Sequence, residues 1–237
     1  MSESPRIQAV AAPEPLRRWV AAAWHVDAPH GHEVHTTPDA SIDIVIVSNE
    51  AFDGIFVGGP LRTFMKRALR GQTRLAGLSL RPGFGALLGV SAEALPADWT
   101  PLAAFELSGA KVVPEEGLAG LFRFIEARAE VARFDERVAE TIVRLDQSQR
   151  GLSVASLARQ TGLGERSLRR LFERHVGMPP AAYVRILRFN RALKRLRTRR
   201  KERLVEAALS LGFADQSHLA RDLRGTRRRH RHRASGP

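Results

Sequence analysis

The feature that most restricts the fold is a change of hydrophobic period near Pro114. Before it, Ser41-Ile-Asp-Ile-Val-Ile-Val47 places Ile42, Ile44 and Ile46 at every second position, the spacing of a strand with one buried face. Ile55-Phe-Val57 ends at Gly58-Gly-Pro60, and Ala76-Gly-Leu-Ser-Leu80 ends at Arg81-Pro-Gly83, so turn residues close each short apolar run. After it, Leu118, Leu121, Phe122 and Ile125 follow i, i+3, i+4, i+7, and Val138, Ile142 and Leu145 repeat the helical spacing. An α+β chain is expected: a sheet-rich domain, cupin-like or a small barrel, followed by an all-α domain. The boundaries read are 1–115 for the sheet-rich regulatory domain and 116–150 for a helical linker or dimerisation segment. A helical domain over 151–224 and a basic disordered tail over 225–237 complete the division, with the joint at Gln147-Ser-Gln-Arg-Gly151.

Charge divides at the same joint. Residues 1–150 hold 16 Lys and Arg against 19 Asp and Glu, a net of −3, whereas residues 151–237 hold 22 against 6, a net of +16. A basic domain joined to a mildly acidic one is the electrostatic footprint of nucleic-acid binding. The absence of cysteine excludes disulfides, thiolate metal sites and cysteine nucleophiles. No Gly-rich phosphate loop, Gly-x-Ser-x-Gly elbow or paired carboxylates in a recognisable frame appear, so an enzyme is not expected, nor a cofactor. With no leader-like N-terminus and no membrane-length apolar run, a cytoplasmic location without membrane contact is expected.

Within the helical part, Ser153 is placed to N-cap a short helix carrying Val154, Leu157 and Ala158, closed by Gly162. A second helix opens near Gly164 with Leu168, Leu171 and Phe172 on one face and Arg166, Arg169 and Arg170 on another. This is a helix-turn-helix, and an outward arginine row suits the major groove, where Arg pairs with guanine O6 and N7. A solvated surface is the rival reading for one such helix, but the pattern recurs. Ala158-x-x-x-Gly162 returns as Ala208-x-x-x-Gly212 at a separation of 50, and Leu168-x-Arg170-x-Phe172 as Leu219-x-Arg221-x-Leu223 at 51. Gln216, Ser217 and Arg221 become the base readers of the second unit. Pro179-Pro180 starts a connecting helix whose Arg185, Arg188 and Arg195 lie on its outer side as phosphate contacts.

These residues resemble the AraC/XylS family of bacterial regulators, through Ser153-Val-Ala-Ser-Leu-Ala-Arg-Gln-Thr-Gly-Leu163, Leu168-Arg-Arg-Leu-Phe172, Val176-Gly177 and Gly212-Phe-Ala-Asp-Gln-Ser-His-Leu219. Trp24, Pro38-Asp39, Asp43 and Arg81-Pro-Gly83 resemble the sheet-rich module of one branch of it. The resemblance implies a sequence-specific transcription regulator, commonly an activator. It would place two helix-turn-helix units in successive major grooves of double-stranded DNA and contact RNA polymerase. A small-molecule effector in the N-terminal domain and a homodimer are the further partners considered, with the helices around Leu118 to Leu145 as the candidate dimer contact. Family members normally continue into a closing helix, whereas this chain reads Gly225-Thr-Arg-Arg-Arg-His-Arg-His-Arg233, so Arg227, Arg228 and Arg229 are expected to touch phosphates from a tail or to reflect an altered reading frame. A sequence-nonspecific nucleic-acid binder is the alternative, which that tail favours. His30, His32 and His35 read as loop histidines rather than a metal site, and Trp24, Phe84, Trp99 and Phe105 as core rather than an effector pocket.

Overall fold

The computed structural model describes residues 5–29, 32–50, 52–69, 71–105, 111–148 and 153–198, without the side chains of Phe52 and of residues 196–198. Its strands are β1 (Arg6–Val10), β2 (Val20–Ala28), β3 (Glu33–Thr36), β4 (Ile42–Asn49), β5 (Phe52–Gly58), β6 (Met65–Ala68), β7 (Thr73–Leu80) and β8 (Thr100–Pro101). The helices are α1 (Gly117–Val131), α2 (Glu136–Gln147), α3 (Val154–Thr161), α4 (Glu165–Val176) and α5 (Pro180–Thr198). The fold class is α+β, with the sheet region first and the helical region after it. No helix among the described residues is long and apolar enough to cross a membrane.

Six strands form one antiparallel sheet in the order β1-β2-β7-β4-β5-β8, and β3 pairs with β6 in a second sheet. Alternation sorts the side chains of β4 between two cores. Ile42, Ile44 and Ile46 pack with Leu78, Leu80 and Val57 beneath Leu121, Phe124 and Ile125 of α1. Val45 and Val47 pack on the opposite face with Val26, Leu69 and Leu75, which the β3–β6 pair covers. Both faces of β4 are therefore buried, not the single face expected. The uninterrupted Ile44-Val-Ile-Val47 is the composition of a strand covered on each side. Among the described residues β1 and β8 are the edges of the large sheet. Trp24 lies flat across Gly77 on the neighbouring strand, where any Cβ would intrude on the indole ring.

The segment 116–150 splits between the cores. α1 caps the sheet, whereas Val138, Ile142 and Leu145 of α2 pack with Leu157, Leu168, Phe172 and Tyr183 of α3, α4 and α5. The apolar faces proposed from sequence as a dimer contact are thus occupied within the chain, leaving Val131 and Val143 as their exposed large hydrophobics.

Candidate nucleic-acid interface

Local chemistry makes the α3–α4 turn. Ser153 Oγ accepts a hydrogen bond from the Ser156 amide at 3.1 Å, satisfying one of the free N–H groups of the first turn. At the other end Gly162 adopts φ +66°, a left-handed conformation that costs glycine little. Its own amide and that of Leu163 return to the carbonyls of Arg159 and Ala158, at 3.3 and 3.0 Å. Gly164 then precedes α4, whose first turn carries Glu165 against the positive end of the helix dipole.

Burial orients α4. Leu168 and Phe172 are fully buried, Val176 nearly so, and Phe172 meets Tyr183 of α5 edge to face with ring centroids 5.9 Å apart. The opposite side carries Arg166, Arg169 and Arg170, all exposed. Arg169 is held by Glu173 one turn on, Nε to Oε1 at 2.9 Å. Arg166 and Arg170, four residues apart, have no hydrogen bond or ion pair among the described residues. Two unpaired guanidinium groups on one stripe form a donor array free to meet an acceptor surface. On α5, Arg185 is exposed, while Arg188 and Arg195 are half-buried; the Arg188 Nε is itself buried and without a partner. The second repeat, with Gln216, Ser217 and Arg221, and the tail with Arg227, Arg228 and Arg229 lie outside the described residues.

Three features hold this unit that the sequence reading did not single out. Arg191 of α5 donates to the carbonyls of Leu145, Asp146 and Ser148 at 2.7 Å each, closing the C-terminal end of α2. Asp146 in turn bonds the Tyr183 hydroxyl, and burial raises the pKa of both groups. The C-terminal end of α4 rests on the sheet domain. Ser91 Oγ donates to the Arg174 carbonyl at 3.1 Å, and Arg62 Nη2 donates to the Gly177 carbonyl at 3.0 Å. Gly177, at φ +74°, lies so close that an added Cβ would come within 2.7 Å of the Ala92 carbonyl oxygen and 2.9 Å of Pro60. Further contacts join the halves: Asn190 Nδ2 donates to the Pro38 carbonyl at 3.0 Å, Phe64 meets Phe189 at 5.7 Å, and Ala40 is buried in the helical core. Nothing in local sequence marks Arg191 among so many arginines; only the packing of α5 along α2 selects it.

Two of the cavities among the described residues lie in the sheet domain. One of about 570 Å³ lies between Asp53–Phe56 of β5, Pro101–Ala103, Phe105, Lys111 and Val112. The other, about 490 Å³, runs over the polar end of the sheet beside His25, Asp27, Ser48 and Arg74, under Pro114 and Glu115. Of the four aromatics weighed from sequence, Phe105 borders the first of these. Trp24 covers Gly77, Trp99 stacks on Phe56 at 6.1 Å beneath the Arg67 guanidinium, and Phe84 packs on Phe134 at 5.3 Å. Among the described residues no three His, Cys, Asp or Glu side chains converge as a metal site; His35 lies against Glu33, and His30 is outside the description.

Comparison with known proteins gives matches to two family models. Residues 157–228 match the family described as a helix-turn-helix domain, a span that includes both repeats as far as Arg228. Residues 8–97 match a domain of unknown function (DUF6597). No curated protein matches the chain. Among solved structures, ToxT from Vibrio cholerae is similar at 9% identity and a TM-score of 0.47, covering 94% of this chain and 95% of that one. Its unsaturated-fatty-acid-bound form gives 9% and 0.45 over 88% and 91%, and an apo variant 10% and 0.43 over 86% and 92%.

Proposed function

We propose that this chain, which carries a helix-turn-helix domain behind a sheet-rich domain, is a DNA-binding transcription regulator of the AraC type that reads a specific operator through two successive major grooves. The observation that carries the reading is the exposed, unpaired Arg166 and Arg170 stripe on α4, presented by a capped turn and backed by a buried face. Arg166, Arg169 and Arg170 serve as base readers of the first unit, with Arg169 leaving Glu173 on contact. Gln216, Ser217 and Arg221 serve the second. Arg185, Arg188, Arg195, Arg227, Arg228 and Arg229 neutralise phosphates, in keeping with the net +16 of residues 151–237.

On this reading the protein acts in the cytoplasm as an activator contacting RNA polymerase, and a binding role rather than catalysis accounts for its residues. A small-molecule effector occupies the sheet domain, in the 570 Å³ cavity beside β5. A second copy of the chain meets the exposed sides of α1 and α2, where Val131 and Val143 face solvent.

The test is selection of bound duplexes from a random pool by the full chain, followed by titration of Arg170→Ala on the selected and a scrambled duplex. A site of two segments about 10 bp apart is expected, with Arg170→Ala costing roughly 1–3 kcal/mol on that site and much less on the scrambled one. Enrichment of no sequence, with equal affinity for all duplexes, establishes the nonspecific binder instead.

A further inference from the structure

Two short segments of the sheet region, 38–40 and 61–62, hold on to the helices. The Pro38 carbonyl accepts from Asn190 Nδ2 of α5 at 3.0 Å, and Ala40 is buried in the helical core. Arg62 Nη2 donates to the Gly177 carbonyl at the end of α4. An antiparallel bridge between Asp39 and Leu61 ties the two segments together. Asp39 therefore stands at the centre of the contact: each of its neighbours touches the helices, and its bridge partner precedes Arg62.

A carboxyl at that point is poorly provided for. Asp39 and Asp43 are both half-buried, and loss of water is the main influence on each. The charge that Asp39 meets is the like charge of Asp43. No Lys, Arg or His of β5, β7 or α5 acts on either carboxyl among the described residues. The arginines beside the contact points are turned to other acceptors. Arg62 is on Gly177, Arg81 donates Nε to the Arg17 carbonyl at 3.0 Å, and Arg191 closes the end of α2. Across from Asp43, β5 offers Gly58, which has no side chain, and β7 offers Ser79, whose hydroxyl donates to Asp43 Oδ1 at 2.5 Å. That hydrogen bond favours the charged form of Asp43, so a proton held by the pair belongs on Asp39, whose carboxyl is pushed up to about 7.

We propose that Asp39 and Asp43 form a proton-sensitive latch between the sheet and helical regions: a proton on Asp39 keeps segment 38–40 against α5, and its loss releases the contact and weakens operator reading. The latch itself follows from the contact geometry, whereas its effect on DNA rests on the regulator reading above. Two negative charges with little water between them repel, and one must move toward solvent. Asp43 is fixed, because β4 is paired with β5 on one side and β7 on the other. Asp39 precedes β4 and is held by its single bridge and by the Ser41 amide at 3.1 Å, so Asp39 is the member that leaves. Pro38 and Ala40 are its direct neighbours and leave with it, and the hold on α5 goes with them.

Hydrogen exchange of the full chain, corrected for the intrinsic pH dependence of amide exchange, measures the latch without DNA. For a carboxyl near 7 when latched and about 4 when free, the opening equilibrium rises about tenfold between pH 6 and pH 8. Protection of amides in Tyr183–Ala192 is expected to fall by about that factor, while amides in β2 and β7 keep theirs. Asp39→Asn, which imitates the protonated carboxyl, should hold the protection constant over the same range. If that variant is unfolded by circular dichroism, Asp43→Asn replaces it, since removing the second charge should also flatten the profile. In parallel, affinity for the selected operator should fall at least threefold from pH 6 to pH 8 in the native chain and not in Asp39→Asn. Titration on a scrambled duplex subtracts the effect of histidine charge on phosphate binding. Constant protection in the native chain, or an equal fall in the variant, overturns the latch. A tenfold fall in protection with operator affinity unchanged overturns its control of DNA reading, and the regulator reading stands. Failure of the native chain to select an operator at either pH overturns the regulator reading, while the exchange measurement still decides the latch.

Discussion

Replacing Arg191 by alanine separates two uses of an arginine in a basic helix. Its guanidinium donates three hydrogen bonds of 2.7 Å to the carbonyls of Leu145, Asp146 and Ser148, at the negative end of α2. Hydrogen bonds to charged groups contribute about 1.5–3 kcal/mol each when dry. Water can replace the guanidinium in part at the Asp146 and Ser148 carbonyls, so the three together are worth about 2–3 kcal/mol. At roughly 2–4 °C per kcal/mol for a chain of this length, Arg191→Ala should lower Tm by about 5–10 °C. Arg191→Lys keeps the charge but not the planar fork, and should recover less than half of that loss. The assay is thermal unfolding followed by near-ultraviolet circular dichroism, beside DNA titrations at several salt concentrations. A phosphate contact would leave Tm alone and reduce the slope of log K against log salt by about 0.9. An unchanged Tm with that shallower slope would refute the helix-closing role.

Three further outcomes follow from the same geometry. A fragment starting near Arg150 lacks Val138, Ile142 and Leu145, all buried in the helical core, and should be molten by circular dichroism, whereas one starting at Arg133 should retain a cooperative transition. The Asp39 carboxyl is pushed up to about 7, mainly by burial and then by the charge of Asp43. The folded state therefore binds this proton more tightly than the unfolded one, so its contribution is fully present below about pH 4 and is lost as pH rises through 7. Asp39→Asn, which keeps an oxygen for the Ser41 amide, should flatten the fall in Tm between pH 5 and 8; an identical slope would exclude Asp39 as the group. Gly77→Ala must displace the Trp24 ring from β7, and chemical denaturation should show a loss of about 1–3 kcal/mol, the usual cost of overpacking.

The helix-turn-helix was legible because its determinants are local. A serine cap, a left-handed glycine and apolar residues at i, i+3 and i+4 act within a dozen residues, and α3, the turn and α4 lie where those signals put them. Strands were legible one at a time, by period and by the turns that end them. Their arrangement was not, because sheet order and the second cover over β4 depend on pairings between segments far apart in sequence, as β2 with β7. The same reason hid the division of 116–150. Amphipathic spacing predicts that α1 and α2 each bury a face, but it does not say that one turns to the sheet and the other to the helices. Charge pattern likewise gave arginines without roles. Among those described, exposed Arg170 and the helix-closing Arg191 have the same chemistry, and they differ only in what the folded chain brings within 3 Å of the guanidinium. Residue type and period are properties of short segments, so sequence alone determined the units; the distances between segments, and with them the contacts of Ser91 and Arg62 at the end of α4, belong to the tertiary structure.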